Sequence, residues 1–257
     1  MSGYPALQSL KIGCVQYLNA KPLICAYPGA VVFDHPARLA EQLARGLLDV
    51  ALVPTYEALR SPDYKIADSI AIASHGPVFS VVLAHRGRLQ DLKTIALDPG
   101  SLTSVFLLRT ILAEFHGLHP EFTAKPNGGD ARLVIGNQAI AFRNTHGAEY
   151  NYLDLGGEWT ERTGLPFVYA MWLLRPEVSK PKAVADELRE LKRLGMDRLE
   201  EIACGETGFD ANFCRQYLGG HVRYDLGDGE KRGIEKWRVL LLKHGLIASA
   251  EKPLEFI

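Results

Sequence analysis

The sequence predicts an α/β protein of two lobes with a ligand cleft between them. Strand-length apolar runs alternate with segments of helical period, the pattern of an α/β layer architecture. Two long apolar runs, residues 78–84 and 167–174, bracket the middle of the chain, and after Pro176 the pattern is helical only. A helical tail of that kind needs a sheet face to cover.

The elements follow in order. Residues 10–15 read as a strand and 31–33 as another; across 37–48, Leu39, Leu43 and Leu47 recur one helical turn apart before a strand at 50–53. Helical connections of this length serve as crossovers, so parallel pairing is expected. The run 78–84 is a long strand, 87–92 turns into a short helix, and 94–97 is a strand that opens a second βα series. In it 103–115 is a helix, 133–136 a buried strand and 137–142 a short helix, and 167–174 reads as a strand similar to 78–84. The tail divides into helices 181–194, 197–204, 210–218 and 229–244, with Gly195, Gly205 and Gly219 as stops. This predicts one lobe from residues 1–86 plus 165–257 and a second, inserted lobe from 87–164.

Composition narrows the function. With 257 residues, 47% hydrophobic and 23% charged, the chain can bury a core without disulfide or metal staples. A net charge of -1 supplies no global field for nucleic acid. No apolar run approaches the ~20 residues of a membrane span, and the opening residues lack a secretory pattern, so a cytoplasmic protein is expected. Cys14, Cys25, Cys204 and Cys214 show no C-x-x-C spacing and sit in apolar patterns, which predicts buried thiols.

Familiar chemical signatures are missing. Gly227, Gly229 and Gly233 are spaced one residue too widely for G-x-G-x-x-G, and neither G-K-[ST] nor G-x-S-x-G occurs. His116 and His119 stand beside Gly117 and Pro120, the composition of a helix end and turn, and no further cluster completes a metal shell. No metal site is expected.

What remains is a set of small polar residues where strands end and helices begin, the positions at which α/β folds hold ligands. Ser101, Thr103 and Ser104 enter the helix 103–115, where free N–H groups and hydroxyls suit a carboxylate; the competing reading is a helix cap. Asn137 follows the strand 133–136 and Thr55 the strand 50–53, while Tyr17 and Asn19 follow the first strand. Ser80 interrupts an apolar strand, where it is either satisfied in the core or turned into the cleft.

These residues carry a resemblance. The segments Lys11-Ile-Gly-Cys-Val-Gln-Tyr17-Leu-Asn19-Ala-Lys-Pro22-Leu23, Asp49-Val-Ala-Leu-Val-Pro54-Thr55, Pro77-Val-Phe-Ser80-Val, Ala96-Leu-Asp98 with Ser101-Leu-Thr103-Ser104, Leu133-Val-Ile-Gly136-Asn137-Gln-Ala139, and Asp154-Leu-Gly with Trp159 and Thr163-Gly-Leu-Pro-Phe167 are similar in order and type to the chorismate dehydratase family of the futalosine route to menaquinone. The similarity runs from about residue 10 to 175. It implies a two-lobed type II periplasmic-binding-protein-like fold used as a cytoplasmic lyase, with a small dianion, chorismate, as substrate and with neither nucleic acid nor membrane as partner. The implied reaction removes the ring hydrogen beside the enolpyruvyl ether and the neighbouring hydroxyl, giving 3-[(1-carboxyvinyl)oxy]benzoate, with no metal or organic cofactor required.

Asn19 matches the family's catalytic asparagine, and Tyr17, Thr55, Ser80, Ser101, Thr103, Ser104 and Asn137 are the expected substrate-binding residues. An amide is too weak a base to take the ring proton unaided, which leaves a substrate carboxylate as the candidate base. One departure stands out: Asn137 occupies a position where the family pattern has aspartate, so a charge is lost and an acceptor kept. Two other readings stay open, a small-anion binding protein of the same fold and the sister lyase that forms a dihydroxynaphthoate skeleton from a cyclic nucleoside.

Overall fold

The computed structural model describes residues 3–98, 100–125, 129–248 and 252–257. Pro99, in the sequence segment 98–104 singled out above, is outside them. The chain opens with β1 (Ile12–Cys14), α1 (Lys21–Ile24), β2 (Val31–Phe33), α2 (Pro36–Ala44), β3 (Val50–Pro54), α3 (Thr55–Arg60) and β4 (Lys65–Ser74). It continues with β5 (Val81–His85), β6 (Thr94–Ala96), α4 (Leu102–His116), β7 (Glu121–Thr123), β8 (Ala131–Ile135), α5 (Gly136–His146), β9 (Asn151–Asp154) and α6 (Leu155–Thr163). It closes with β10 (Phe167–Leu174), α7 (Pro181–Met196), α8 (Leu199–Gly205), α9 (Ala211–Gln216), a wide π-helical turn (Tyr217–His221), α10 (Asp228–Lys243) and β11 (Glu255–Phe256).

The strands form two sheets, ordered β11-β4-β10-β3-β1-β2 and β7-β6-β8-β5-β9. The expected crossovers hold around β1, which pairs parallel with both β2 and β3. β10 instead runs antiparallel to β3 and β4, tying the return of the chain into the centre of the first sheet. β3 and β10 are buried almost end to end, which explains their unbroken apolar runs, Val-Ala-Leu-Val-Pro and Phe-Val-Tyr-Ala-Met-Trp-Leu-Leu.

The expected lobe boundary at residue 86 is not where the sheets part. The strand read at 78–84 begins at Val81 and lies in the second sheet, between β8 and β9. Its start is delayed because Phe79 adopts a left-handed φ of 65°, with the N–H groups of Val78 and Phe79 donating to the Asp154 carboxylate at 3.0 and 2.7 Å. Beside β3, the other first-sheet partner of β10 is β4, whose apolar pattern is interrupted, Lys-Ile-Ala-Asp-Ser-Ile-Ala-Ile-Ala-Ser; neither β4 nor β7, β9, α6 and β11 is among the elements the sequence predicts.

Other differences have local causes. The helix expected over 37–48 ends at Ala44, because Gly46 takes a left-handed φ of 72°. The helix expected over 210–218 stops at Gln216 and widens into the π turn, which carries Gly219 and Gly220. Two thiols are buried, Cys14 and Cys214, but Cys25 and Cys204 are exposed, so the expectation of four buried thiols fails for half of them. His116 ends α4 with Gly117 in the left-handed C-cap conformation, and its Nε2 lies 2.9 Å from Glu158 Oε1.

α4 packs against three other helices, α3, α10 and α6. Phe106 stacks on Tyr56 of α3 with ring centroids 3.7 Å apart, Trp237 of α10 donates its N–H to Thr110, and Phe115 meets Trp159 of α6 edge-on. No helix among the described residues is long and apolar enough to cross a membrane.

Candidate active site

The loops that leave β1, β3 and β8, the bend before β5, the start of α4 and the middle of β10 converge on one cavity of about 70 Å³. After β1 the chain makes a 3-10 turn at Leu18–Ala20 and enters α1 with Pro22 in its first turn. Leu18 and Ala20 anchor this turn in the core and leave Asn19 in the cavity wall, 9% exposed, its Oδ1 without a hydrogen-bond partner.

At the start of α4 the cap reading fails. Ser101 stands in extended backbone at the N-cap position, yet its side chain makes no capping bond. Thr103 Oγ1 accepts the N–H of Tyr56 at 3.0 Å, and neither Ser101 nor Ser104 has a hydroxyl partner among the described residues. The first N–H groups of a fifteen-residue helix therefore face the cavity uncapped by side chains, with the positive end of its dipole.

Ser80 reaches the wall because of the bend at Phe79, and its hydroxyl accepts a 2.7 Å hydrogen bond from Tyr217. Tyr17 lies against Gly136, which takes a φ of 57°; a Cβ there would stand 3.0 Å from the Tyr17 ring. Burial, with a smaller contribution from the Asp98 carboxylate, pushes the Tyr17 phenol up to about 12. Tyr169 of β10 also lines the cavity and shares a 2.9 Å hydrogen bond with Ser74; burial first, then Asp154, raises its phenol well above the usual range.

Six of the eight expected residues come together here: Tyr17, Asn19, Ser80, Ser101, Thr103 and Ser104. Two do not line the cavity. Thr55 is fully buried at the start of α3, with its hydroxyl unpartnered in the core. Asn137 is engaged elsewhere: its Oδ1 accepts the Leu18 N–H at 2.9 Å, joining α5 to the loop beside Asn19 across 119 residues of sequence.

Tyr169 and Tyr217 were not anticipated. Tyr169 interrupts an apolar strand as Ser80 does, so the same reading applied to Phe167–Leu174 would have found it; Tyr217 has no such signal, because the π turn that aims it is not a periodic pattern.

The wall contains no charged side chain among the described residues. It offers hydroxyls, an amide and helix N–H groups on an apolar lining that includes Val15, Leu52, Ile72 and Ile135. Such a set can orient an anion and a hydroxyl, but it holds no carboxylate or imidazole to act as a base. Among the described residues no three His, Cys, Asp or Glu side chains are grouped to hold a metal ion. A larger cleft of about 650 Å³ adjoins, shares Tyr17 with the cavity, and brings Arg38 and Arg132 beside Glu41 and Asp98.

Known proteins resemble this chain in sequence and in fold. Residues 10–241 match the family described as Menaquinone biosynthesis. The chorismate dehydratase of Thermus thermophilus is 33% identical over 251 residues, covering 87% of this chain and 92% of that protein. Among solved structures, a protein of Archaeoglobus fulgidus superposes with a TM-score of 0.72 at 16% identity, covering 93% of this chain and 98% of the other. The periplasmic aliphatic sulphonate binding protein SsuA of Escherichia coli superposes at 0.61 and 14% identity, covering 94% of each chain. At these identities the structural likeness establishes the fold, that of the periplasmic binding proteins.

Proposed function

This chain belongs to the menaquinone-biosynthesis family, and we propose that it dehydrates chorismate to 3-[(1-carboxyvinyl)oxy]benzoate on the futalosine route. The observation that carries the reading is the cavity itself: Asn19, Ser80 and the uncapped start of α4 meet on an apolar wall with no charged side chain. The start of α4, with Ser101, Thr103 and Ser104, holds one substrate carboxylate through N–H groups and hydroxyls. Asn19 and Ser80 hold the ring hydroxyl that leaves.

The chemistry asked of the wall is positioning, since loss of water makes the ring aromatic. Preorganised donors aimed at the leaving oxygen act strongly in a dry, low-dielectric site. No wall residue is poised to take the ring proton at neutral pH, because the Tyr17 phenol is pushed up to about 12. The substrate's own enolpyruvyl carboxylate is the group left to receive it. A cavity of about 70 Å³ is small beside the roughly 300 Å³ or more of ordinary ligand pockets. Substrate therefore enters an opened form, in which the loop after β1 parts from α5, and the two lobes close over it. The proposed compartment is the cytoplasm.

Incubation of the purified protein with chorismate, followed by chromatography and mass analysis of the aromatic product, tests the reading. Bound but unchanged chorismate would make the protein a binder of the same fold. Turnover of the cyclic nucleoside with no reaction of chorismate would move it to the sister lyase.

A further inference from the structure

Behind the cavity wall lies a residue that does not line it. Tyr217, the first residue of the π-helical turn, is 1% exposed, and its O–H donates to Ser80 Oγ at 2.7 Å across 137 residues of sequence. Asn19 shares the cavity wall with Ser80, and its Oδ1 has no hydrogen-bond partner among the described residues. π turns are rare and are found mostly at functional sites; here the turn carries a buried phenol to Ser80, in the bend before β5.

The valences then decide what the substrate meets. Ser80, with a lone pair occupied by Tyr217, has its own proton to offer, and among the described residues no protein acceptor takes it. We infer that Tyr217 is a positioning residue that sets the polarity of Ser80, holding its hydroxyl as a donor toward the leaving hydroxyl beside Asn19; the inference rests on the proposal that the cavity dehydrates chorismate. A hydroxyl held in this way accepts from Ser80, which stabilises the oxygen as it departs. Without the phenol, the Ser80 hydroxyl is free to rotate and bond Asn19 or water.

Tyr217→Phe removes only the hydroxyl and keeps the ring that stacks on Phe213, 5.7 Å away between centroids. It should lower kcat about tenfold or more, the scale of one well-placed hydrogen bond, with KM within about threefold of the parent. Because the two act as one unit, Tyr217→Phe combined with Ser80→Ala should be about as slow as Ser80→Ala alone. A readout independent of turnover is the Asn19 side-chain amide resonance, assigned by its loss in Asn19→Ala. It should shift and exchange faster in Tyr217→Phe, and also shift in Ser80→Ala, where the phenol remains. A kcat within twofold of the parent with that resonance unmoved overturns the inference, as does an unmoved resonance in Ser80→Ala should Tyr217→Phe fail to fold. If the parent leaves chorismate untouched while the resonance still moves in both variants, the proposed function falls and the positioning role stands.

Discussion

Removing the acceptor at Asn137 tests whether the loop after β1 and α5 work as a latch over the substrate. In the structure Asn137 Oδ1 accepts the Leu18 N–H at 2.9 Å, and Leu18 is fully buried. Asn137→Ala leaves that N–H without a protein partner in the closed form, while in an opened form water satisfies it. A buried unsatisfied donor costs about 1–3 kcal/mol, and water that follows the shortened side chain holds the effect near the lower end. A penalty of about 1–1.5 kcal/mol on closure alone raises KM for chorismate roughly 5- to 12-fold, and faster exchange of the Leu18 amide reports the same loss without turnover. Asn137→Asp keeps the acceptor, with a charge-assisted bond about twice as strong; repulsion of the substrate dianion offsets part of that gain. We expect its KM to stay within about threefold of the parent. Unchanged KM and unchanged Leu18 exchange in Asn137→Ala would refute the latch, and a fall in Tm with normal KM would reduce Asn137 to a stabilising contact.

Other outcomes follow from the same geometry. Asn19→Ala and Asn19→Asp should each lose about 100-fold or more in kcat, the scale of a preorganised hydrogen-bonding group, with Tm barely changed; near-normal kcat in Asn19→Ala refutes its role. Ser104→Ala, which breaks no bond within the described residues, should raise KM with little change in Tm, whereas Thr103→Ala should also cost about 1 kcal/mol of stability because Thr103 accepts the Tyr56 N–H; equal effects on Tm would count against this division. Alkaline pH should destabilise the fold: burial pushes the Cys14 thiol from 9.0 up to about 12, so above pH 9 the unfolded chain releases a proton that the folded chain retains, and stability falls from there toward pH 12. Cys14→Ala should flatten the decline of Tm between pH 9 and 11, and an unchanged slope would remove this thiol from the account.

The sequence by itself determined the α/β class, the strands at 50–53 and 167–174, the amphipathic helices and the set of loops that carry polar residues, because burial writes a period of two, of 3.6 or an unbroken apolar run into the chain locally. It also made Tyr17, Asn19, Ser80 and the start of α4 legible, since small polar residues at strand ends have few other reasons to gather. It could not show that Val81–His85 joins the second sheet, because strand length and apolarity are the same whichever neighbour supplies the ladder. Nor could it tell a cap from a ligand site at Ser101, or a ligand residue from a latch at Asn137: each depends on which backbone N–H lies within 3 Å, and for Asn137 that group is 119 residues away. Tyr217 is the clearest case of what only tertiary structure decides. Its hydroxyl meets a partner, Ser80, that lies 137 residues away in sequence and is brought to it only when the tail folds over the sheets.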